Sequence, residues 1–520
     1  MNGQERDKDQ ETGTTGSPPV HLAARARRTE WRKRICMATG LALFFTLYFL
    51  PPLPDAVDPK GQHFALTHQG KAALGLFLLA ATWWVFEVIP IGVTSIAIGA
   101  TQVLFLIRPA KILADQTAQP MSTAKVAFGD FMDPSVWFII GSITFGMVFS
   151  KTGLTKRMAY GMLAVVGERT SMIYLGSFVI TAALTLIMAH TAVAATIFPL
   201  LMAIHALYSE DDEPTRFGRG LFIGMAFVAG AGSIITLLGA ARGAVAIGFY
   251  KKIVGREVAF FELTYYMLPI GCIMVVLLWL YCMVVFKPER RNIPGLRERA
   301  KMLYRRLGPI TRTEVLSLVI IFSTIAVMSM KSLVPGMEFL NKSAVILVAT
   351  ILFFVFKILN IDDLEQIPWN IVLLFGGAMS IGLCLWETGA AEWLAVQWLA
   401  LFKQSHWFVF VMGIAFFVMI MTNLIMNVAA IAISLPVALV IAEYLGVAPE
   451  VILFCSLVTA GMPFLLLVGA APNAIAYESK QFTSGQFFLY GVPASALLMV
   501  VLGVFVWLIW PLMGMPILTQ

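Results

Sequence analysis

Three residues sit where their side chains are expensive to keep. Arg242 lies inside the apolar run 219–250, His190 at the middle of the run 172–207, and Asn427 at the middle of 407–445. A guanidinium in hydrocarbon costs about 2.5 to 3.5 kcal/mol unless it faces a cavity or a counter-ion. Its rigid fork also holds a carboxylate or sulfate through two parallel hydrogen bonds. Arg242 therefore reads as the fixed cation of an anion site, as half of a buried ion pair, or as a side chain reaching back to an interface. An imidazole, with an ordinary pKa of about 6.5, can donate to a carboxylate and take up a proton. The plainer reading of His190 is a neutral helix-breaking residue bonded to a nearby carbonyl.

Positioning these groups falls to membrane helices. The chain has 520 residues, of which 59% are apolar and 13% charged, against roughly 25% charged in a soluble domain. Mean hydropathy is +0.83, and the apolar runs approach the ~20 residues that a helix needs to cross the bilayer. This composition predicts an all-α polytopic membrane protein and excludes a soluble enzyme, while alternating strand patterns for a β-barrel are missing. The net charge of +7 reads as membrane orientation, and no nucleic-acid partner is expected. Cys36, Cys272, Cys282, Cys384 and Cys455 are scattered through apolar segments without metal-site or disulfide spacing.

Residues 1–34 read as a disordered basic cytoplasmic tail, 35–286 as a first half, 287–312 as a cytoplasmic loop and 313–520 as a second half. Runs 172–207 and 407–445 are too long for one span and too short for two with a loop. The polar residue at each centre predicts a re-entrant helical hairpin with its tip near the midplane. Eleven spans remain, six in the first half and five in the second. With the N-terminus inside, Lys151, Lys156, Arg157, Arg169 and the basic 287–312 loop face the cytoplasm, as positive-inside topology requires. Lys251, Lys252 and Arg256 face outward against that tendency, and the C-terminus lies outside.

The two halves share landmarks. Gly141 and Gly153 recur 236 positions later as Gly377 and Gly389, and His190 and Pro199 recur 237 positions later as Asn427 and Pro436. Because the first hairpin is entered from inside and the second from outside, the halves form an inverted repeat, the architecture of secondary transporters.

Residues Trp83–Pro90, the Thr-Gly landmarks, the paired hairpins and the stretch Ala471–Tyr477 together resemble the divalent anion/sodium symporter family of the ion transporter superfamily, from about residue 70 onward. The resemblance implies a homodimer with a scaffold domain and an elevator-type transport domain carrying di- or tricarboxylates, or sulfate in some branches. It also implies an integral membrane protein of the bacterial inner membrane, with lipid and a small anion as its other partners.

The family's Ser-Asn-Thr tips read here Ala189-His190-Thr191 and Met426-Asn427-Val428. Its Thr-Pro-Pro-Asn-like turns read Ala240-Ala241-Arg242-Gly243 and Ala470-Ala471-Pro472-Asn473. The resemblance implies substrate contacts from His190, Thr191, Arg242, Asn427, Pro472 and Asn473. Thr185, Ser233, Thr236, Gly239 and Gly469 are candidate polar or cation-binding lining. No cofactor is expected. Sodium, the family's coupling ion, loses several of its hard oxygen ligands in these substitutions. The reading that results is an elevator-type carrier exchanging small organic dianions, di- or tricarboxylates, without sodium, with sodium-coupled or sulfate-type symport, a channel or a sensor as alternatives. Glu87 and Glu387 read as scaffold or interface anchors, and Lys331, Lys342 and Lys357 as snorkelling span ends. No phosphate-binding glycine loop, paired-carboxylate centre or metal cluster supports a pump or an enzyme.

Overall fold

The computed structural model describes residues 20–57, 63–108, 122–209, 213–334, 337, 340–402 and 406–519. Among the described residues, the regular structure is helical apart from one antiparallel strand pair, Ala56–Val57 with His63–Phe64. The first half comprises α1 (Val20–Phe49), α2 (His68–Val85), α3 (Ile91–Leu104), α4 (Thr123–Gly129), α5 (Pro134–Thr152), α6 (Leu154–Val166), α7 (Thr170–Thr185), α8 (His190–Tyr208), α9 (Arg216–Ser233), α10 (Arg242–Val254) and α11 (Phe260–Val285). Next come α12 (Leu296–Arg306), α13 (Arg312–Leu333), α14 (Lys342–Val355), α15 (Ile361–Glu365), α16 (Trp369–Glu387) and α17 (Ala390–Phe402). The chain ends with α18 (Trp407–Leu424), α19 (Asn427–Tyr444), α20 (Pro449–Gly461), α21 (Ala471–Tyr477) and α22 (Ser484–Val504).

Among the described residues, eight helical segments are long and apolar enough to cross a bilayer, and α3, α7, α14 and α20 are shorter apolar helices. Helices α16 and α19 are buried along most of their length, whereas α11, α13 and α22 present apolar side chains outward. That distribution is what a lipid-facing rim around a packed centre requires.

Two expectations need correction. Residues 20–34, read as disordered tail, belong to α1, because no glycine or proline interrupts the Ala- and Arg-rich run before Gly40. Residues 1–19 of that tail lie outside the described residues. The 287–312 loop contains the amphipathic helix α12, which packs on α6. Between these two and α13, Arg157 donates from Nε to Glu314 Oε1 at 2.9 Å and from Nη1 to the Gly308 carbonyl at 3.0 Å. Nearby, Glu289 accepts from the backbone N–H groups of Arg216 and Phe217 and from the Tyr208 hydroxyl, tying the end of α8 to the start of α9. Burial raises the Glu289 pKa, but these donors outweigh it and hold the carboxyl below its ordinary value.

The element order from α3 to α11 recurs from α14 to α22, including both interrupted pairs, α7/α8 with α18/α19 and α9/α10 with α20/α21. Left-handed residues mark equivalent ends. Leu106 (φ 48°) follows α3 and Lys357 (φ 56°) follows α14, while Gly153 (φ 83°) and Gly389 (φ 73°) turn α5 into α6 and α16 into α17. The landmark glycines have a packing reason. A Cβ at Gly141 would lie 2.7 Å from Ile346 of α14, and one at Gly377 would lie 2.3 Å from Ser95 of α3. Ser95 and Ile346 are 251 positions apart, as are Leu106 and Lys357, so each half inserts a helix of its own against the equivalent glycine of the other.

Charges expected outward are compensated locally. Lys251 pairs with Glu257 at 2.8 Å, Lys252 with Asp133 at 3.0 Å, and Arg256 with Glu262 and Glu450 at 2.6 and 2.7 Å. Lys342, read as a snorkelling side chain, lies 3.3 Å from Glu257. Glu387 accepts from Arg108 Nε at 2.8 Å, while Arg108 Nη1 donates to Asp130. Arg108 is 1% exposed, so its removal takes a charged partner from both buried carboxylates and leaves Asp130 with Lys252, 3.4 Å away. We expect Arg108→Met to lower stability by about 3–5 kcal/mol, read as a loss of Tm in detergent. Adding Asp130→Asn and Glu387→Gln to that variant should recover most of the loss.

Candidate functional site

Four helix interruptions meet at the centre, and side chains join them in pairs. The α7/α8 break is held to the α9/α10 break by Thr236 Oγ1 donating to the Leu186 carbonyl at 2.8 Å. The His190 backbone N–H donates to the Gly239 carbonyl at 3.0 Å, and the ring Nδ1 lies 3.3 Å from the same oxygen. In the second half, Asn423 Oδ1 accepts from the backbone N–H groups of Leu465 and Leu466 at 2.7 and 3.2 Å. Thr422 donates to the Ala460 carbonyl at 3.1 Å, and Asn473 Nδ2 donates to the carbonyls of Pro463 and Leu466 at 2.8 and 3.1 Å. Buried backbone groups freed by a break need partners of this kind.

Between the breaks lies a cavity of 460 Å³. Four helices begin on its wall, α8 at His190, α10 at Arg242, α19 at Asn427 and α21 at Ala471. Their N-cap residues Ala189, Ala241, Met426 and Ala470 line it, and none caps its helix with a side chain. Elsewhere Thr67, Asp133, Thr215, Thr311, Asn341 and Thr483 accept from the first-turn N–H groups of their helices. Uncapped helix starts turn unsatisfied N–H groups and the positive dipole end toward whatever occupies the space, the arrangement that favours an anion.

Arg242 supplies the full charge. It is 2% exposed and lines the cavity; Nη2 donates to Ser233 Oγ at 2.8 Å, and Nη1 has no hydrogen-bond partner. The buried arginines Arg108 and Arg157 both hold carboxylates, whereas Arg242 has none among the described residues. A buried cation with a vacant donor, surrounded by helix starts, is complementary to a negatively charged guest.

The family model for the sodium:sulfate symporter transmembrane region matches residues 30–516. The chain belongs to the divalent anion/sodium symporter family. It is 23% identical over 497 residues to a sodium-dependent dicarboxylate transporter, SdcS, of Staphylococcus saprophyticus, covering 91% of each chain. It is 24% identical over 462 residues to the Staphylococcus aureus SdcS, covering 84% of this chain and 86% of that one. A solved structure of Neisseria gonorrhoeae MtrF, from a class of antimetabolite efflux pumps, aligns with a TM-score of 0.50 at 14% identity, covering 82% of this chain and 96% of that chain. That likeness concerns the fold alone. This divalent anion/sodium symporter family member is thus an integral membrane secondary transporter and not an enzyme.

Of the residues expected at the site, the cavity of this symporter-family protein brings together His190, Thr191, Arg242 and Asn427. Pro472 and Asn473 do not line it. Both are buried, and the Asn473 amide is committed to the two backbone carbonyls that shape the α20/α21 break. Thr185 donates to the Ala182 carbonyl, Thr236 to Leu186, and Ser233 to Gly230 while accepting from Arg242. Gly239 and Gly469 are close-packed against the backbone carbonyls of Thr185 and Thr422. These six residues and Pro472 therefore position the lining without forming it. The imidazole reading also shifts. With Nδ1 donating to Gly239, a neutral His190 ring offers Nε2 as an acceptor and not as a donor to a carboxylate.

Sequence reasoning missed the walls contributed by α5 and α16, including Ile139, Ile143, Met147, Ile371 and Phe375, and the joining role of Asn423. The absence of Ser, Thr, Asp or Asn before four helix starts was a readable signal for the uncapped ends. For Asn473, we expect Asn473→Asp, which keeps the shape but removes both donors, to lower Tm by an amount equivalent to at least about 1–3 kcal/mol. Wild-type stability in that variant would show that the two amide bonds do not hold the break.

Proposed function

We propose that this protein carries small organic anions across the membrane by exchange, without a sodium requirement. The observation that supports the reading is the buried, carboxylate-free guanidinium of Arg242 in a cavity walled by four uncapped helix starts. A carboxylate docked there meets the Arg242 donor that Ser233 leaves free and the positive helix ends. The family's dicarboxylate cargo, named for the SdcS relatives, is the starting expectation.

Sodium fits the site poorly. At the four positions where family tips and turns carry hydroxyl or amide oxygens, Ala189, Ala240, Met426 and Val428 present only carbon and sulfur to the cavity. A small hard cation favours oxygen ligands at these places. The permanent charge of Arg242 offsets the anion instead. Moving that charge across hydrocarbon without a guest costs free energy, which favours exchange over net uptake.

The recurring element order and the two joined break pairs support eleven spans with two opposed re-entrant hairpins in an inverted repeat, N-terminus inside and C-terminus outside. Family membership supports a homodimeric scaffold and an elevator-like transport unit. The cavity reaches exposed Ser150 and Pro368, next to the Lys151–Asp363 pair and on the side of the basic α6 and α12 segments, which fits a state open to the cytoplasm.

In proteoliposomes, counter-flow of labelled carboxylates is expected to proceed equally in sodium and in choline. Arg242→Ala should reduce it at least about 10-fold, as expected for losing a hydrogen-bonded charge worth roughly 1.5–3 kcal/mol, with the size-exclusion profile and helical content unchanged. Steep, cooperative dependence on sodium together with normal transport by Arg242→Ala would overturn the reading.

A further inference from the structure

The uncommitted donors in the cavity come from the helix starts. Arg242, Thr191 and Asn427 belong to them, and the positive ends of α8, α10 and α19 act within about one turn of those starts. The Arg242 Nη1 atom, the Thr191 hydroxyl and the Asn427 amide nitrogen have no hydrogen-bond partner among the described residues.

The facing walls are different in kind. Helices α5 and α16 contribute Ile139, Ile143, Met147, Ile371 and Phe375. The polar side chains beside them are already used, since Ser142 donates to the Leu238 carbonyl at 3.0 Å and Thr196 to the Ala192 carbonyl at 2.8 Å. Ser150 stands at the exposed mouth.

We propose that the site takes an organic anion with one charged head and an apolar body, a carboxylate or sulfonate on a hydrocarbon or aromatic frame, in preference to a dicarboxylate. The inference rests on the anion-carrier reading above and narrows its cargo. The head occupies Arg242 and the helix starts, and the body lies on the α5 and α16 walls.

A second carboxylate a few ångströms beyond the first would meet isoleucine, methionine and phenylalanine side chains and lose its hydration without a replacement donor. The neutral His190 ring does not rescue it, because Nδ1 is directed at Gly239 and Nε2 carries a lone pair. An apolar body gains from the same walls by leaving water. The size agrees, since 460 Å³ falls within the roughly 300–1,000 Å³ typical of pockets that enclose drug-sized molecules, well beyond what a four-carbon diacid fills.

The test uses purified full-length protein in proteoliposomes preloaded with 3-phenylpropane-1-sulfonate. This probe stays ionised and does not leak across lipid as a neutral acid. Saturable counter-flow of the labelled sulfonate is expected, with 4-phenylbutyrate inhibiting at a concentration at least tenfold lower than succinate or butyrate. Ile371→Ser should narrow that ratio severalfold by placing a hydroxyl on the apolar wall, and the wild-type competition series stands even if this variant folds poorly. Succinate that is exchanged and competes as well as 4-phenylbutyrate would overturn the inference while leaving the anion-carrier reading intact. Absence of exchange with every anion, succinate included, would overturn the carrier reading and this inference with it.

Discussion

A helix interrupted inside a bilayer exposes backbone donors and acceptors that lipid cannot satisfy. Most of this structure is arranged around four such interruptions. The first break of each half is held to the next, by Thr236 and the His190 backbone in one half and by Thr422 and Asn423 in the other, while Asn473 ties the α20/α21 break to itself. The carbonyls of Leu186, Gly239, Ala460, Pro463 and Leu466 are thereby satisfied internally. The amino ends of α8, α10, α19 and α21 are left without side-chain caps beside one cavity, so the backbone opened by the breaks borders the candidate site.

The charges follow the same division. Among the described residues, buried Arg108 lies between Asp130 and Glu387 and Arg157 on Glu314, whereas Lys71 donates to the Leu50 carbonyl and Arg242 to the Ser233 hydroxyl. Pairing Arg242 with a carboxylate would stabilise the empty protein and close the site to an anion. Gly461 makes room for the guanidinium, since a Cβ there would lie 2.6 Å from Arg242 Nη2.

The repeat explains why two dissimilar sequences build one site. Gly141 and Gly377 allow α14 and α3 to approach α5 and α16 closely, so each half leans on the other at equivalent places. The resulting α5 and α16 walls carry mainly aliphatic and aromatic side chains into the cavity. The polar end comes from the breaks and the apolar end from the helices that the glycines bring together.

Much of this was legible in the sequence. Uninterrupted hydrophobicity identified the class, the two overlong runs located the breaks within a few residues of His190 and Asn427, and the misplaced cation at Arg242 pointed to a residue that lines the cavity, because each is a local property of composition and spacing. The short helices α4, α6, α12, α15 and α17 were not read, since an amphipathic segment of five to thirteen residues leaves no long apolar run. Nor could spacing separate the residues that line the cavity from those that shape it. Asn473 and Asn427 look equivalent in the chain, yet one amide is consumed by two carbonyls while the other borders open space. Hydrogen-bond partners 7 to 50 positions away decide which polar groups are spent, and only the folded arrangement of the four breaks brings those partners within reach.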